Sequence, residues 1–179
     1  MSSWSWTQRG DEPISYLPNT DAGQDRPVQL IAEMTYRETI AGPWGPTTGS
    51  PFGARLCWSV TAATLRGDRI DACLAMPGAD WIRLGSYGIR RQDQRLVFET
   101  VDAAIVTLSY DNALIRESDA FLQALANGGE TTVDDQYMRM VAQFDTGDNR
   151  YAWLTQSLFI GAGRVAGDHE IEYLVYRLD

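Results

Sequence analysis

The 179-residue sequence contains no lysine; all fifteen of its basic residues are arginine. That absence excludes Schiff-base chemistry and the phosphate-binding lysine of a P-loop. Histidine occurs once, as His169 in "VAGDHEIEY", and cysteine twice, as Cys57 and Cys73. These are too few, and too widely spaced, for a zinc site or a disulfide framework. Both cysteines fall in strand-like runs and read as buried thiols, and His169 reads as a solvated turn residue. Neither a Gly-x-Gly-x-x-Gly fingerprint nor a Gly-x-Ser-x-Gly elbow is present. The chemistry expected is therefore proton chemistry without a metal or a bound cofactor. No apolar run approaches the roughly 20 residues that span a bilayer. The N-terminus, "MSSWSWTQRGDEP", lacks a basic region followed by an apolar one. A cytoplasmic protein with no membrane partner is the expectation. The net charge of −9 also argues against nucleic acid as a partner, because such a surface repels polyanions.

What the chain has in quantity is short alternating segments. "PVQLIAEMTYRETI" sets Ala32, Met34 and Tyr36 against Glu33, Thr35 and Arg37, which is strand periodicity. "AGPWGPTTGSPFG" is dense in Gly and Pro and reads as a long loop, of the kind that often borders a functional opening. Beyond it come eight more strand-like runs, most of them separated by turns such as "RGD", "MPG", "GSYG", "GDN" and "AGD". Regular short strands and tight turns predict a mainly β fold, an antiparallel sheet that removes its edges by closing into a single barrel. One helix is predicted, "SDAFLQALANGG", with Ser118 as N-cap, an apolar face of Phe121, Leu122 and Leu125, and Gly128–Gly129 as its end. Residues 1–26 read as an irregular arm whose Trp4 and Trp6 pack on the body or on a second subunit, which makes a homo-oligomer one expectation; residues 27–179 read as one barrel domain.

Four stretches resemble the bacterial and fungal family known as domain of unknown function three-two-three-seven. "VTAATLRGDRI" is similar to its Val-Thr-Gly-Gly-Thr-Phe-x-Gly-x-Arg-Leu stretch, and "PGADW" to its Gly-Ala-Asp-Trp motif. "DQR", Asp93 to Arg95, falls where the family has Asp-x-Arg. "FDTGDNRYAWLTQSLFIGAGR" is similar to its Phe-Glu-Thr-Gly-x-x-Arg-Tyr-Ala-Trp-Leu-Asn signature and the Phe-Val-Gly-x-Gly that follows. The resemblance covers about residues 28–179. It implies a barrel similar to lipocalins and allene oxide cyclases, and cofactor-free steps in natural-product pathways such as adding a hydroxyl across an alkene or closing a ring. This chain departs from the pattern at Ala62 and Ala63, where the family has paired glycines, and at Thr155, where it has Asn. "VDA" stands in place of an Asp-Asp-Gly turn.

Candidate residues follow from strand parity. In "IRRQDQRLVFET" one face carries Arg91, Asp93, Arg95, Val97 and Glu99, and the other Arg90, Gln92, Gln94, Leu96 and Phe98. With the first face inward, Asp93 and Arg95 form a polar patch in an apolar cavity, with Asp93 or Asp80 as the partner a buried Arg demands; with it outward they are a surface pair. Asp80, beside Trp81, is the candidate acid-base if partly desolvated, or else a corner aspartate that bonds turn amides. Trp81 is a core residue or a wall for a flat ligand. Tyr110 shares a face with Ala104, Val106 and Leu108 and either packs in the core or offers a neutral phenol to a ligand oxygen. In "RYAWLTQ", Tyr151, Trp153 and Thr155 share a face if extended and line a pocket; Arg150 binds a substrate oxyanion or locks the turn to Asp145 or Asp148.

The reading these residues support is a cyclase, isomerase or lyase for an oxygenated hydrophobic small molecule, such as a polyketide. Asp80, Arg95 and Tyr110 are its catalytic candidates. Trp81, Asp93, Tyr151, Trp153 and Thr155 are its substrate-binding ones. Ring closure by oxa-Michael addition and by a pericyclic, Diels–Alder-type step both fit. A lipocalin-like carrier that leaves its ligand unchanged is the alternative, and an interaction protein docking through its arm is a third.

Overall fold

The computed structural model describes residues 28–47 and 49–179; the expected arm, residues 1–26, lies outside them. Nine strands form one antiparallel sheet: β1 (Leu30–Trp44), β2 (Arg55–Gly67), β3 (Ile70–Leu74), β4 (Gly78–Leu84), β5 (Ile89–Thr100), β6 (Ile105–Arg116), β7 (Tyr137–Asp145), β8 (Phe159–Gly167) and β9 (Glu170–Leu178). β1 pairs with both β2 and β9, so the sheet is a closed ring. β3 and β4 each pair with β2 on one side and β5 on the other, at successive registers. Together they fill one place in the ring, broken at "AMP", which leaves eight places around the barrel. A barrel of that size has an interior just wide enough for side chains to fill. The expected fold class is thus the observed one. Among the described residues no helix is long and apolar enough to cross a membrane.

Parity decides what goes inside. On β5 the buried set is Gln92, Gln94, Leu96, Phe98 and Thr100, whereas Arg91, Arg95 and Glu99 are exposed. Leu96 and Phe98 fix that choice: a one-residue slip would expose both and bury Arg95 and Glu99.

Each end of the barrel is closed differently. At the upper end the β6–β7 connection forms helix α1 (Asp119–Asn127). Ser118 caps it, its Oγ accepting from the Phe121 N–H at 3.1 Å, and Gly128 ends it at φ 73°. Both caps match the sequence expectation. Phe121 and Ala124 are the buried face of the helix. At the lower end the segment expected to be extended, "RYAWLTQ", is a 3-10 helix over Asn149–Leu154. Its N-cap is Asp148, which accepts from the Arg150 N–H and also pairs with the Arg150 guanidinium at 2.6 Å. Arg150 reaches on to Asp102 in the β5–β6 turn, at 2.6 Å, and the Tyr151 hydroxyl donates to the same carboxylate at 2.9 Å. Arg150 therefore locks the turn, and Leu154 and Tyr151 plug the floor. Two smaller expectations are also revised. β1 runs on through Ala41–Trp44, where a loop was expected, with Trp44 opposite Cys57. Cys73 is exposed and Cys57 only half-buried.

The glycines of "FIGAGR" have a packing reason. A Cβ on Gly163 would come within 2.6 Å of the Tyr173 ring and 2.8 Å of Met138 Cγ; one on Gly161 would meet the Met140 methyl at 2.6 Å. Tyr173 and both methionines are buried, so nothing can yield cheaply. Gly163→Ala is expected to lower the unfolding free energy by about 1–3 kcal/mol, read by urea denaturation; an unchanged midpoint would show that the β8–β9 wall gives way.

Candidate active site

Seven polar side chains meet in one cluster inside this largely apolar barrel. Glu38 on β1 and Asp80 on β4 are both buried, at 2% and 3% exposure. Each is held in the same way, by a glutamine of β5 and linked through it to a tyrosine. Gln94 Nε2 donates to Glu38 Oε2 at 2.8 Å, and the Tyr36 hydroxyl lies 2.7 Å from Gln94 Oε1 and closer still to Glu38 Oε2. Gln92 Nε2 donates to Asp80 Oδ2 at 2.6 Å, and the Tyr173 hydroxyl donates to Gln92 Oε1 at 3.1 Å. Tyr36 and Tyr173 stack with ring centroids 5.9 Å apart. Tyr110 adds a third buried phenol, its ring 6.3 Å from that of Tyr173.

Two oxygens of this cluster have no partner among the described residues, Asp80 Oδ1 and the Tyr110 hydroxyl. A buried polar atom without a hydrogen bond is costly and rare, so each is a place where a water or a ligand oxygen would be held. Burial pushes the Glu38 carboxyl up to about 7, against the opposing hydrogen bonds from Tyr36 and Gln94. Burial also raises Asp80 well above the carboxylate range, and the charge of Glu38 adds to this. The two acids repel each other's charge, so they titrate as a pair and hold at least one proton near neutrality. Tyr36, Tyr110 and Tyr173 are pushed further up by burial and stay neutral.

Above the acids lies a cavity of about 20 Å³, room for roughly one water molecule. Glu38, Asp80 and Gln92 line it from below, Trp58 and Met138 from the sides, and Phe121 and Leu125 of α1 from above. Its one basic wall is Arg90. The Arg90 guanidinium pairs with Glu117, just ahead of α1, and lies 5.7 Å from the Phe121 ring centroid. It is close enough to Asp80 to offset part of that acid's upward shift.

Residues 29–178 match the family described as Protein of unknown function (DUF3237). The chain belongs to this family. Among curated relatives it is similar to a UPF0311 protein of Rhodopseudomonas palustris (strain TIE-1), 29% identical over 143 residues, which are 78% of this chain and 92% of the relative. Among solved structures it is similar to a beta-barrel like protein from Acinetobacter baumannii AYE, with a TM-score of 0.71 and 27% identity over 88% of this chain and all of that one. An enzyme from Penicillium herquei shares the fold, with a TM-score of 0.62 and 15% identity over 88% of this chain and 99% of that one.

The family member places the sequence candidates in three regions. Asp80 and Tyr110 are inside, in the cluster just described. Arg95, Asp93 and Trp81 are on the outer wall: Arg95 is exposed, Asp93 half-buried, and Trp81 58% exposed. The expectation that Asp93 and Arg95 form an internal patch, with Trp81 beside the cavity, is overturned by the parity of β4 and β5. Asp80 and Trp81 are consecutive in a strand and must face opposite sides. Tyr151 and Trp153 lie in the lower 3-10 helix and Thr155 is its C-cap, at the far end from the cavity. Trp153 packs against Phe159 and carries the Arg69 guanidinium 3.9 Å above its ring, and the Thr155 hydroxyl bonds the Ala152 carbonyl at 2.9 Å. Tyr151 and Trp153 close the floor and Thr155 is exposed beside them, so none lines a pocket with Asp80.

Sequence reasoning missed Glu38, Gln92, Gln94 and Arg90. The signal was available. Extending the apolar face of Met34 and Tyr36 by one step puts Glu38 on it. The face of Leu96 and Phe98, extended backwards, runs through Gln94 and Gln92 to Arg90.

Because the folded state keeps the Glu38 proton up to about pH 7 while the unfolded chain releases it near 4.5, the fold binds more protons than the unfolded chain across that window. The stability Glu38 contributes as a neutral acid is therefore complete below pH 4.5 and lost as pH rises towards 7. The loss is about 3 kcal/mol, at about 1.36 kcal/mol per pH unit. Glu38→Gln should flatten this slope in urea unfolding measured from pH 4.5 to 7.5. A variant with the wild-type slope would show that Glu38 does not hold its proton in the fold.

Proposed function

We propose that this chain is an acid-base cyclase, isomerase or lyase that moves protons on an oxygenated hydrophobic small molecule, such as a polyketide, with its own side chains. The observation that carries this reading is the Glu38–Asp80 pair: two carboxyls buried in the barrel, where burial favours their protonated forms, one with an oxygen free to meet a ligand. Neighbouring carboxyls in different states of protonation supply a general base and a general acid together. An enzyme described from Penicillium herquei on the same fold is consistent with the reading, as a likeness of fold.

An oxa-Michael ring closure illustrates the fit. The ionised carboxylate takes the proton of a substrate hydroxyl as that oxygen adds to the β-carbon of a conjugated enone. The C=C π electrons move through the α-carbon onto the carbonyl oxygen. Arg90 and Tyr110 donate hydrogen bonds to the enolate, and the neutral carboxyl returns a proton to the α-carbon. The product is an isomer of the substrate, and one proton exchange between the two acids resets the site. A purely pericyclic closure needs no buried acid, so the polar interior favours the acid-base route. The cavity holds about one water, so a substrate enters only when α1 lifts Phe121 and Leu125 from the mouth.

The test is turnover of hydroxy-enone polyketide fragments in D2O, followed by mass spectrometry. Wild type should form the cyclic ether with one deuterium at the α-carbon. Asp80→Asn and Glu38→Gln should each lose at least about 10-fold in kcat/KM. Full activity in both variants would sink the mechanism. Saturable binding with the ligand recovered unlabelled and unchanged would instead establish a carrier.

A further inference from the structure

The outer wall of β2, β4, β5, β6 and β7 has an arrangement that the interior site does not use. Arg55 stands directly opposite Arg83, and Arg83 opposite Arg91; the same row continues through Leu114 to Arg139. One step down, Trp81 stands opposite Asp93, and Asp93 opposite Asp111. A row of cations thus lies beside a row holding two anions, about 7 Å away along the strands and with about 4.8 Å between neighbours. Like charges directly opposite one another in a sheet are destabilising. Here they are not relieved within the chain: among the described residues none of these six charges forms an ion pair. Arg83 and Arg91 instead converge on uncharged oxygens of Asn112, its side-chain Oδ1 and, at 3.0 Å, its carbonyl. Asn112 is the bulge residue of β6, at φ 61°. Trp81 sits in the middle of this face, 58% exposed.

We propose that this face is a two-fold interface between two copies of the chain. A surface with adjacent rows of opposite charge is self-complementary under a two-fold axis lying in the contact plane, across the strands and between the rows. That operation sets Arg91 of one copy over Asp93 of the second, and Arg83 of one over Trp81 of the second, each twice. It supplies opposite charges to both rows and a cation–π partner to an exposed indole, which is the anchor type that dominates interface energetics. An unrelated polyanion would relieve only the arginines and would meet Asp93 and Asp111 as repulsion. A second copy brings an acid to Arg91, a cation to Asp93 and a cation to Trp81.

The experiment is sedimentation velocity on the full chain. Wild type should sediment as a pair of 20.0-kDa chains at about 50 μM and low salt. Its Kd should rise at least about 10-fold at about 1 M salt, where the Debye length falls to about 3 Å. Arg83→Glu/Arg91→Glu reverses the charge at the centre of the cation row, and Asp93→Arg/Asp111→Arg makes both rows basic. Each variant, shown folded by circular dichroism, should be a monomer alone, and an equimolar mixture should restore the dimer. A monomeric wild type, a salt-insensitive dimer, or folded variants that dimerise alone or fail to associate when mixed would each overturn the proposal. None of these readouts depends on turnover, so the interface and the interior chemistry stand or fall separately.

Discussion

Ring closure is the constraint on which everything else depends. Once β1 pairs with both β2 and β9, no strand is free to slip by one residue, because a slip would invert its two faces against fixed neighbours. The apolar side chains of each strand then decide which of its polar ones are carried inside. Leu96 and Phe98 take Gln94 and Gln92 with them; Met34 and Tyr36 take Glu38; Ile82 takes Asp80. The acids are buried because hydrophobic positions two residues away have to be, and their desolvation is offset by the burial that closes the barrel.

Given two acids inside, the cheapest arrangement would satisfy every oxygen. The structure falls short of that. Gln94 and Tyr36 both donate to Glu38 Oε2, and Gln92 donates to Asp80 Oδ2 alone, which among the described residues leaves Asp80 Oδ1 buried without a partner. The neutral acid is what makes this tolerable, since an unpaired carboxyl costs far less to bury than an unpaired carboxylate. Protonation is therefore part of the packing solution as well as of any chemistry. The free Asp80 oxygen and the unpartnered Tyr110 hydroxyl are the places where a ligand oxygen would improve on the closed state.

The barrel, its turns, the capped helix and the family were legible from alternation, turn residues and four quoted stretches. The parity of β5 was not. "IRRQDQRLVFET" has a charged face and an amide–apolar face, and chemistry-bearing residues drew attention to the charged one. Burial follows the apolar residues instead, so the amides go in and Arg95 goes out. "RYAWLTQ" misled for a related reason. Its aromatic residues suit a strand, but Asp148 caps a helical turn there, and Arg150 and Tyr151 bind Asp102 across the floor. That partner is distant in sequence, and no local propensity reveals it.

Arg90 and Arg95 make the physical argument most sharply. Both are arginines on β5, five residues apart, and hence of opposite parity. Arg95 faces outward, away from the acids. Arg90 has the parity of Gln92 and Gln94 but sits where the barrel opens, so its guanidinium lies near the Phe121 ring and pairs with the half-buried Glu117 just ahead of α1. Two residues deeper along the strand, the same side chain would face two carboxyls and would favour the charged form of both. At the rim it lowers Asp80 only in part, leaving a pair that can give and accept protons near pH 7. The height of one cation along one strand thus separates a buried ion cluster from a proton-transfer site.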